Sequence, residues 1–448
     1  MQFNYKTSNT TLRLIATQLR RTKSKTMSLG LLLMATLALS CLSISIYNDR
    51  NNEAKAQQDI QTIRYRNLVL DLGNGVKTNA QLSFPVIGKG PFPSVLIIPG
   101  SGAVDKNGTL GFVHKYGPKP PTPYLQIAQY LSERGFAVLR YDKRGVGANY
   151  TILDTNVWGN TTANDLNQDS KKALNVLIQQ PEVDTKRISI IGHSEGTLYS
   201  PRVAIDNSMN IKNIILMGVL AQNPLKVEYY QDVSLPLEYA AQVLDRNHTG
   251  SISIQQFANV PLLLKLLPLP RSLLHTNYTE AITTTLAKDF GMSGYISIEK
   301  QLKPLLVKEY ENITAFNLLK CNTLVICPKL WRSLSSLIPN LSIIGNVSKS
   351  TGILILNGEN DIQTPVQEAF LLQQRLTDLN HPDHTLITYP NLGHVFYTSS
   401  QWETGIGPIQ QYVLGDLYAW LEAHSGLSRL PDSTSLSATN FSTNSTIT

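Results

Sequence analysis

Acidic residues are absent from the first 48 positions of this chain, whereas six lysines and arginines lie before residue 26. That segment supplies six of the seven positive charges in the formal net charge of +7, so the rest of the chain is close to neutral. A nucleic-acid-binding protein needs basic residues gathered on its folded surface, so we expect no nucleic-acid partner. No histidine pair has a convincing zinc spacing, and no glycine-rich loop lies where a dinucleotide would need it. We therefore expect neither zinc nor a dinucleotide cofactor.

Charged residues are also absent from residues 27–47, MSLGLLLMATLALSCLSISIY. A run of this length spans a bilayer core as a helix, and the basic head at residues 1–26 favours the cytoplasmic side. We expect a transmembrane signal anchor, followed by a polar linker at 48–61, with the catalytic body outside the cell membrane. The alternative is a signal peptide cleaved after the sequence AKA at 54–56, which would release a secreted protein.

Cysteine is scarce, with three residues in the chain. Cys41 lies in the apolar run, which leaves Cys321 and Cys327 either as a disulfide in an oxidising compartment or as two buried thiols. Eleven Asn-x-Ser/Thr sites, among them Asn107 and Asn160, are typical of an exported glycoprotein.

Two stretches alternate short apolar, β-branched runs with helical patterns, namely residues 62–220 and 350–425. Apolar strands separated by amphipathic helices predict a mostly parallel sheet with helices on both faces. Residues 221–349 lack this alternation, and we interpret them as a mainly helical cap inserted between two core strands. The Ser/Thr-rich residues 426–448 are predicted to be disordered.

The sequence GHSEG, residues 192–196, follows the apolar strand RISIIG and precedes a helical pattern. This strand–turn–helix context pushes a serine hydroxyl out at the carboxyl end of a sheet strand, so Ser194 is a candidate nucleophile. Gly192 and Gly196 would be required because side chains there would clash across the tight turn. A serine hydroxyl needs a base, and the base needs an orienting carboxylate.

Two later strands are followed by residues of those types. LILNGENDIQTP places Asp361 after one strand, and YPNLGHVF places His394 after the last strand. The order Ser194, Asp361, His394, each beyond a strand's carboxyl end, is the order expected of the α/β-hydrolase fold.

The motifs GHSEG, GENDIQTP, NLGH, IIPGSGAVDKNG and LRYDKRGVGAN resemble those of the α/β-hydrolase superfamily. Within it, the chain most resembles bacterial esterases related to serine aminopeptidases and monoacylglycerol lipases. The resemblance covers roughly 62–220 and 350–425, and it implies an α/β-hydrolase fold whose mostly parallel central sheet carries helices on both faces and an inserted cap. It also implies that Asp361 is the triad acid and His394 the base.

These roles define what the remaining groups must do. Ser194 would attack a carbonyl carbon while His394 takes and returns the proton. The resulting oxyanion needs backbone N–H donors already in place. Glu195 would supply one N–H, and either Ser101 or Gly102 in the loop after VLIIPG would supply the other.

Other residues near the predicted site have alternative interpretations. Glu359 is a second candidate for the acid. We expect His193 to pack beneath the sheet end, and His114 either to line the site or to face solvent. Asp142 and Arg144 are predicted to form a structural turn and an ion pair.

The cap contains DRNHTGSISIQQ, residues 245–256, which follows the calcium-binding loop of an EF-hand closely. Glutamine stands where that loop has its bidentate glutamate, and the loop has one carboxylate. A structural turn is the favoured interpretation, and calcium is the alternative, with these candidate ligands: Asp245, Asn247, Thr249 and Ser251.

Together these features predict an exported serine hydrolase that cleaves carboxylic esters through an acyl-enzyme. The apolar cap favours a small-molecule ester or acyl substrate. One alternative is an aminopeptidase-like hydrolase of small peptides, since the same triad attacks amides. A second alternative, of a different class, is a non-catalytic surface binding module on a hydrolase fold.

Overall fold

The computed structural model describes residues 62–110, 119–207, 211–260, 263, 294–315 and 327–426. The predicted anchor and linker lie outside these residues, as do the predicted tail after Gly426, His114 and Cys321. Within the described ranges, no helix has both the length and the apolar character needed to cross a membrane.

The strands alternate with helices along most of the chain, as the sequence predicts. The strands are β1 (Ile63–Asp71), β2 (Lys77–Pro85), β3 (Phe92–Ile98), β4 (Ala137–Tyr141), β5 (Val146–Gly147), β6 (Thr151–Ile152), β7 (Val183–His193), β8 (Ile211–Met217), β9 (Ser251–Ser253), β10 (Tyr295–Ser297), β11 (Gly352–Gly358) and β12 (His384–Tyr389).

Helices fill most of the connections between these strands. They are α1 (Pro123–Ser132), α2 (Thr155–Gly159), α3 (Ala163–Ile178), α4 (Gly196–Asp206), α5 (Pro224–Tyr229), α6 (Leu235–Tyr239), α7 (Ile254–Ala258), α8 (Lys303–Thr314), α9 (Pro328–Ser335), α10 (Asn340–Ile343), α11 (Val366–Asp378) and α12 (Gln411–Ser425). Three π-helical turns adjoin the cap helices, at Tyr230–Ser234, Ala240–Leu244 and Ile298–Leu302.

Eight strands form the central sheet in the order β1-β2-β4-β3-β7-β8-β11-β12. Strand β2 pairs antiparallel with β1 and β4, and every other neighbouring pair in the sheet is parallel. The predicted fold class is therefore confirmed. Because β3, β7, β8, β11 and β12 run in one direction, the loops after them meet at a single edge of the sheet.

Apolar side chains fill both faces of this sheet. One cluster includes Leu174 of α3, Leu198 of α4 and Leu372 of α11, and the other includes Ile127 of α1 and Leu417 of α12. All five side chains are essentially inaccessible. Burial on both faces explains why the parallel strands are apolar throughout rather than alternating.

The cap leaves the sheet after β8 and returns at β11, and these two strands are neighbours. Its described part has an apolar cluster of its own, which includes Val233, Ile252, Phe257, Ile296 and Leu306. Besides the predicted helices, the cap contains a two-stranded antiparallel sheet, β9 and β10. The sequence contains the same pattern at both strands, GSISI and GYISI, and the central isoleucines of the two are paired.

Candidate active site

Ser194 lies on the turn between β7 and α4 with φ at +55°. This left-handed backbone conformation is uncommon for a residue with a side chain, and it persists only where the surroundings enforce it. Here the Ser194 N–H donates to the Met217 carbonyl at 2.9 Å, and the Thr197 hydroxyl donates to the Ser194 carbonyl at 2.6 Å. The turn is therefore held from both sides.

The two glycines that flank this turn have no room for a side chain. A β-carbon at Gly192 would lie 2.6 Å from the Gly196 carbonyl oxygen, and one at Gly196 would lie 2.9 Å from the Pro99 oxygen. Both distances are shorter than β-carbons tolerate. The geometric reason that the sequence suggests for these glycines is thus present in the structure.

Asp361 and His394 lie at the carboxyl ends of β11 and β12, and the structure brings them together. His394 Nδ1 is 2.8 Å from Asp361 Oδ2. Both side chains are buried. A carboxylate can only accept, so Nδ1 carries the proton and Nε2 is left as a proton acceptor.

Backbone and hydroxyl donors complete the coordination of the Asp361 carboxylate. The N–H groups of Gln363 and Thr364 donate to Oδ1 at 2.8 and 2.9 Å, and the Thr364 hydroxyl donates to Oδ2 at 2.8 Å. Sequence reasoning did not identify Thr364. The motif DIQTP contained the signal, since a threonine three residues after an aspartate can close such a turn.

The end of β8 links Ser194 to the histidine. Gly218 follows Met217, whose carbonyl oxygen accepts from the Ser194 N–H. A β-carbon at Gly218 would lie 3.1 Å from His394 Cε1. Gly218 thereby lets the imidazole approach the same edge of the sheet as the serine. Glu359, the alternative acid, is not part of this cluster. Its side chain is exposed and accepts from the Thr388 hydroxyl at 2.9 Å.

The loop after β3 contains Gly100, Ser101 and Gly102 and is called the oxyanion loop. It packs directly on the turn that carries Ser194. A β-carbon at Gly100 would lie 3.1 Å from Ser194 Cβ, and Gly102 has φ at +88°. Among the hydrogen bonds of the described residues, none uses the N–H of Glu195, Ser101 or Gly102 as its donor. These three N–H groups, the candidate oxyanion donors, therefore have no acceptor among the described residues.

Asp105 ties this loop to the turn after β4. Its carboxylate accepts from the N–H groups of Asn107, Thr109 and Asn149, and from the Thr109 hydroxyl. Asn107 in turn accepts from the buried Arg140 guanidinium. The motifs IIPGSGAVDKNG and LRYDKRGVGAN are thus two halves of one hydrogen-bonded unit behind the site.

The predicted ion pair between Asp142 and Arg144 is wrong in its partners. Asp142 accepts from the Lys106 N–H at 2.6 Å, whereas Arg144 binds Asp169 through two hydrogen bonds of 2.6 and 2.7 Å. The turn carries the two side chains to different neighbours, so each stabilises a long-range contact rather than the turn itself.

A buried ion pair lies beneath the serine turn. Lys143 Nζ is 3.3 Å from Glu195 Oε1, and each side chain is 2% exposed. Burial lowers the pKa of Lys143, and the neighbouring Glu195 carboxylate opposes that shift. The Tyr199 hydroxyl donates to the same Glu195 oxygen at 2.8 Å. Glu195 therefore has a fixed side chain, which the sequence did not indicate, in addition to the N–H predicted as an oxyanion donor.

The cap reaches the acid's loop. The Gln231 side-chain amide donates to the Gln363 carbonyl at 2.6 Å. Burial, with the nearby Glu238 and Asp361 carboxylates, raises the pKa of Tyr230 to about 12.

Beside the oxyanion loop, Ala103, Trp158 and Cys327 pack in an apolar cluster. Cys327 is disulfide-bonded, and its partner lies outside the described residues.

The EF-hand-like loop closes on itself. The Asp245 carboxylate accepts from the N–H groups of Thr249 and Gly250 and from the Thr249 hydroxyl. The Gln256 amide donates to the Leu244 carbonyl at 3.1 Å and accepts from the Ser253 N–H at 2.8 Å. Within the part of the chain that the structure describes, no three metal-binding His, Cys, Asp or Glu side chains gather. Calcium binding by Asp245, Asn247, Thr249 and Ser251 stays a prediction.

A protein-family model described as "Serine aminopeptidase, S33" matches residues 109–256, which contain the candidate nucleophile. Together with the sheet order, this match supports membership of the α/β-hydrolase superfamily. The chain has the α/β-hydrolase fold. The esterase EstD of Thermotoga maritima is 31% identical over 117 residues, which are 26% of this chain and 25% of that protein. The match thus spans a quarter of the curated relative's length.

Two solved structures align with most of the chain. Est1E from Butyrivibrio proteoclasticus, solved with ferulic acid bound, is 15% identical and covers 80% of this chain and 100% of its own, with a TM-score of 0.47. Proline iminopeptidase from Mycobacterium smegmatis is 15% identical and covers 80% of this chain and 99% of its own, with a TM-score of 0.45.

Proposed function

We propose that this α/β hydrolase is a serine hydrolase that cleaves carboxylic esters through an acyl-enzyme intermediate. One observation carries the proposal. The buried Asp361–His394 hydrogen bond of 2.8 Å lies at the same sheet edge as Ser194, whose backbone is held at φ +55°. A binding surface has no need of a strained serine beside an oriented imidazole.

In the proposed reaction, Ser194 Oγ attacks the ester carbonyl while His394 Nε2 takes its proton. Asp361 keeps the proton on Nδ1 and stabilises the imidazolium. The N–H of Glu195, with that of Ser101 or Gly102, binds the oxyanion. His394 then protonates the departing alcohol. Water, deprotonated by the same imidazole, hydrolyses the acyl-enzyme and restores the serine.

An ester with an apolar group is the favoured substrate class. The cap has an apolar cluster of its own and contacts the loop of Asp361 through Gln231, which supports a substrate with an apolar acyl or alcohol group. The curated relative that matches part of this chain is named an esterase, which supports the same class.

An aminopeptidase-like hydrolase of small peptides is the second candidate. The observation that favours it is the family model, whose description is that of a serine aminopeptidase. The same triad chemistry serves both reactions, so the leaving group and the pocket decide between them. The non-catalytic binding module is the third candidate, and it predicts no turnover of either substrate.

Fluorophosphonate labelling tests the nucleophile. We expect the native chain to label, Ser194→Ala to lose all labelling, and Ser251→Ala in the cap loop to label like the native chain. The Ser251 variant controls for the substitution itself. Equal labelling of native protein and Ser194→Ala would refute the assignment, and absence of labelling in all three would favour the binding module.

A substrate panel then separates the two enzyme candidates. We expect p-nitrophenyl esters of short to medium acyl chains to turn over faster than aminoacyl anilides, with Ser194→Ala inactive on both. Faster hydrolysis of anilides would replace the esterase by the peptidase.

We also propose that the body is exported, either anchored through residues 27–47 or released by cleavage. The disulfide at Cys327 supports an oxidising compartment. Protease treatment of intact cells should degrade the body, with a cytoplasmic protein as the protected control. Protection of both proteins until lysis would contradict export.

A further inference from the structure

Three loops meet at the candidate site through one line of buried hydrogen bonds. The Gly100 N–H donates to the Tyr124 hydroxyl oxygen at 2.9 Å. That hydroxyl lies 3.0 Å from His193 Nδ1, and His193 Nε2 lies 3.1 Å from the His394 carbonyl oxygen. The line therefore runs from the oxyanion loop, through the residue before the candidate nucleophile, to the backbone of the candidate base.

The chemistry of each group fixes where every proton lies. The His394 carbonyl can only accept, so His193 Nε2 must carry the hydrogen. His193 Nδ1 is then an acceptor, and the Tyr124 hydroxyl donates to it while accepting from Gly100. Burial, and then the neighbouring His394, lowers the pKa of His193 to about 3, so the ring is neutral at ordinary pH. Burial also raises the pKa of Tyr124, which keeps its proton.

Packing supports the same arrangement. Tyr124 and His193 are 4% and 9% exposed, and their rings meet edge to face with centroids 5.7 Å apart. The His193 ring also lies 4.8 Å from the His394 ring, centroid to centroid. A β-carbon at Gly100 would lie 3.2 Å from His193 Nδ1, so the oxyanion loop rests directly on this imidazole.

We propose that Tyr124 and His193 are positioning residues, which hold the oxyanion loop and the backbone of the base in fixed relation to the nucleophile. This inference rests on the proposed function. Neither side chain needs to touch the substrate, because each acts through the backbone of Gly100 or His394. An acyl-transfer transition state needs the nucleophile, the base and the oxyanion donors in place together, and errors on the order of 1 Å are costly.

Tyr124→Phe removes one oxygen from the middle of the line and is the sharpest variant. The Gly100 N–H then loses its acceptor and His193 Nδ1 loses its donor. We expect kcat on the best ester to fall about 10-fold to 100-fold with KM changed less than about threefold. Tyr130→Phe is the matched control, since it lies on the same helix and its hydroxyl makes no hydrogen bond among the described residues. It should keep native kcat.

A spectroscopic measurement tests the hydrogen bonds without relying on turnover. The ¹⁵N shifts of the His193 ring should report the Nε2–H tautomer in the native chain and in Tyr130→Phe. In Tyr124→Phe the Nε2–H tautomer should persist, because the His394 carbonyl still accepts from it, while the Nδ1 shift should move to that of a ring nitrogen that accepts no hydrogen bond. His193→Asn is the second variant, because it keeps an acceptor near Tyr124 but cannot reach the His394 carbonyl, and it should also lower kcat.

The outcomes separate this inference from the proposed function. Native kcat in Tyr124→Phe, or an Nδ1–H tautomer in the native protein, would overturn the positioning role. A loss of kcat explained by a matching loss of folded protein at the assay temperature would overturn it as well. Failure of the proposed function has a different sign, because Ser194→Ala would then match the native chain, either with equal activity in both or with no turnover in both.

Discussion

Two loops of this chain use an aspartate in the same local way, one at the sheet edge and one in the cap. Asp361 and Asp245 each accept from two backbone N–H groups a few residues later and from a threonine hydroxyl. They differ in what comes from elsewhere in the chain. The Asp361 carboxylate also accepts a hydrogen bond from the imidazole of His394, 33 residues later in the chain. The hydrogen bonds to the Asp245 carboxylate come from its own loop.

This difference separates the shape of a loop from its chemistry. Local hydrogen bonds suffice to fold both turns, because Asp and Thr side chains readily bond to nearby backbone. A reactive group arises where a buried partner from another strand adds a constraint that local sequence cannot supply. Substitutions at the sheet edge should therefore change activity, and matched substitutions in the cap should change stability alone.

The largest expected effect is that of Asp361→Asn set against Asp245→Asn. The amide would favour the wrong tautomer of His394, so we expect kcat/KM to fall about 10³-fold to 10⁴-fold. Asp245→Asn should leave kcat/KM within about twofold of native, because no hydrogen bond among the described residues joins that loop to Ser194, Asp361 or His394. Steady-state kinetics on one ester measures both. Comparable losses in the two variants would show that the cap loop takes part in the reaction.

The next largest effect contrasts a buried ion pair with an exposed one. Lys143→Met leaves Glu195 charged and unpaired beneath the serine turn, which should cost about 3–5 kcal/mol of unfolding free energy. Lys303→Met breaks the exposed pair with Glu299, 2.9 Å long, and should change stability little. Urea denaturation measures both.

A second substitution shows whether charge causes the loss at Lys143. Adding Glu195→Gln to Lys143→Met removes the unpaired charge, so the double variant should be more stable than Lys143→Met alone. If it is less stable, packing of the lysine stem, rather than its charge, dominates at this position.

A smaller effect should appear as a pH dependence of stability. Unfolded His193 takes up a proton below about pH 6.5, whereas burial holds its folded pKa near 3. The unfolded state therefore binds more protons in this window, and stability falls as the pH falls. The slope from this one group is ~1.4 kcal/mol per pH unit well below pH 6.5. His193→Asn should lose that slope in denaturation curves measured between pH 6.5 and 4.5, and an unchanged slope would mean that His193 is already charged when folded.

Much of the fold and of the candidate site could be predicted, because the signals are local. Each apolar strand is followed by residues that favour a turn, such as the glycines around Ser194 or Gly393 before His394. Apart from Thr364, which is three residues from Asp361, the missed contacts join distant segments. Tyr124 and His193 are 69 residues apart, and Lys143 and Glu195 are 52 apart. Nothing in either local sequence specifies such a partner, and the wrong pairing of Asp142 with Arg144 has the same origin.

The smallest expected effect concerns calcium at the cap loop. Gln256 already joins Leu244 to Ser253 by direct hydrogen bonds, which hold together the two ends that a metal-bound glutamate would hold in an EF-hand. We therefore expect millimolar calcium to shift the Tm of the native chain by less than about 1 °C. The triple variant Asn247→Asp, Thr249→Asp, Gln256→Glu restores three carboxylates to ligand positions and should gain a calcium-dependent rise in Tm, with magnesium as the control cation. A rise in the native chain comparable to that in the variant would mean that one carboxylate and the loop's neutral oxygens suffice, and the cap loop would then be a metal site rather than a turn.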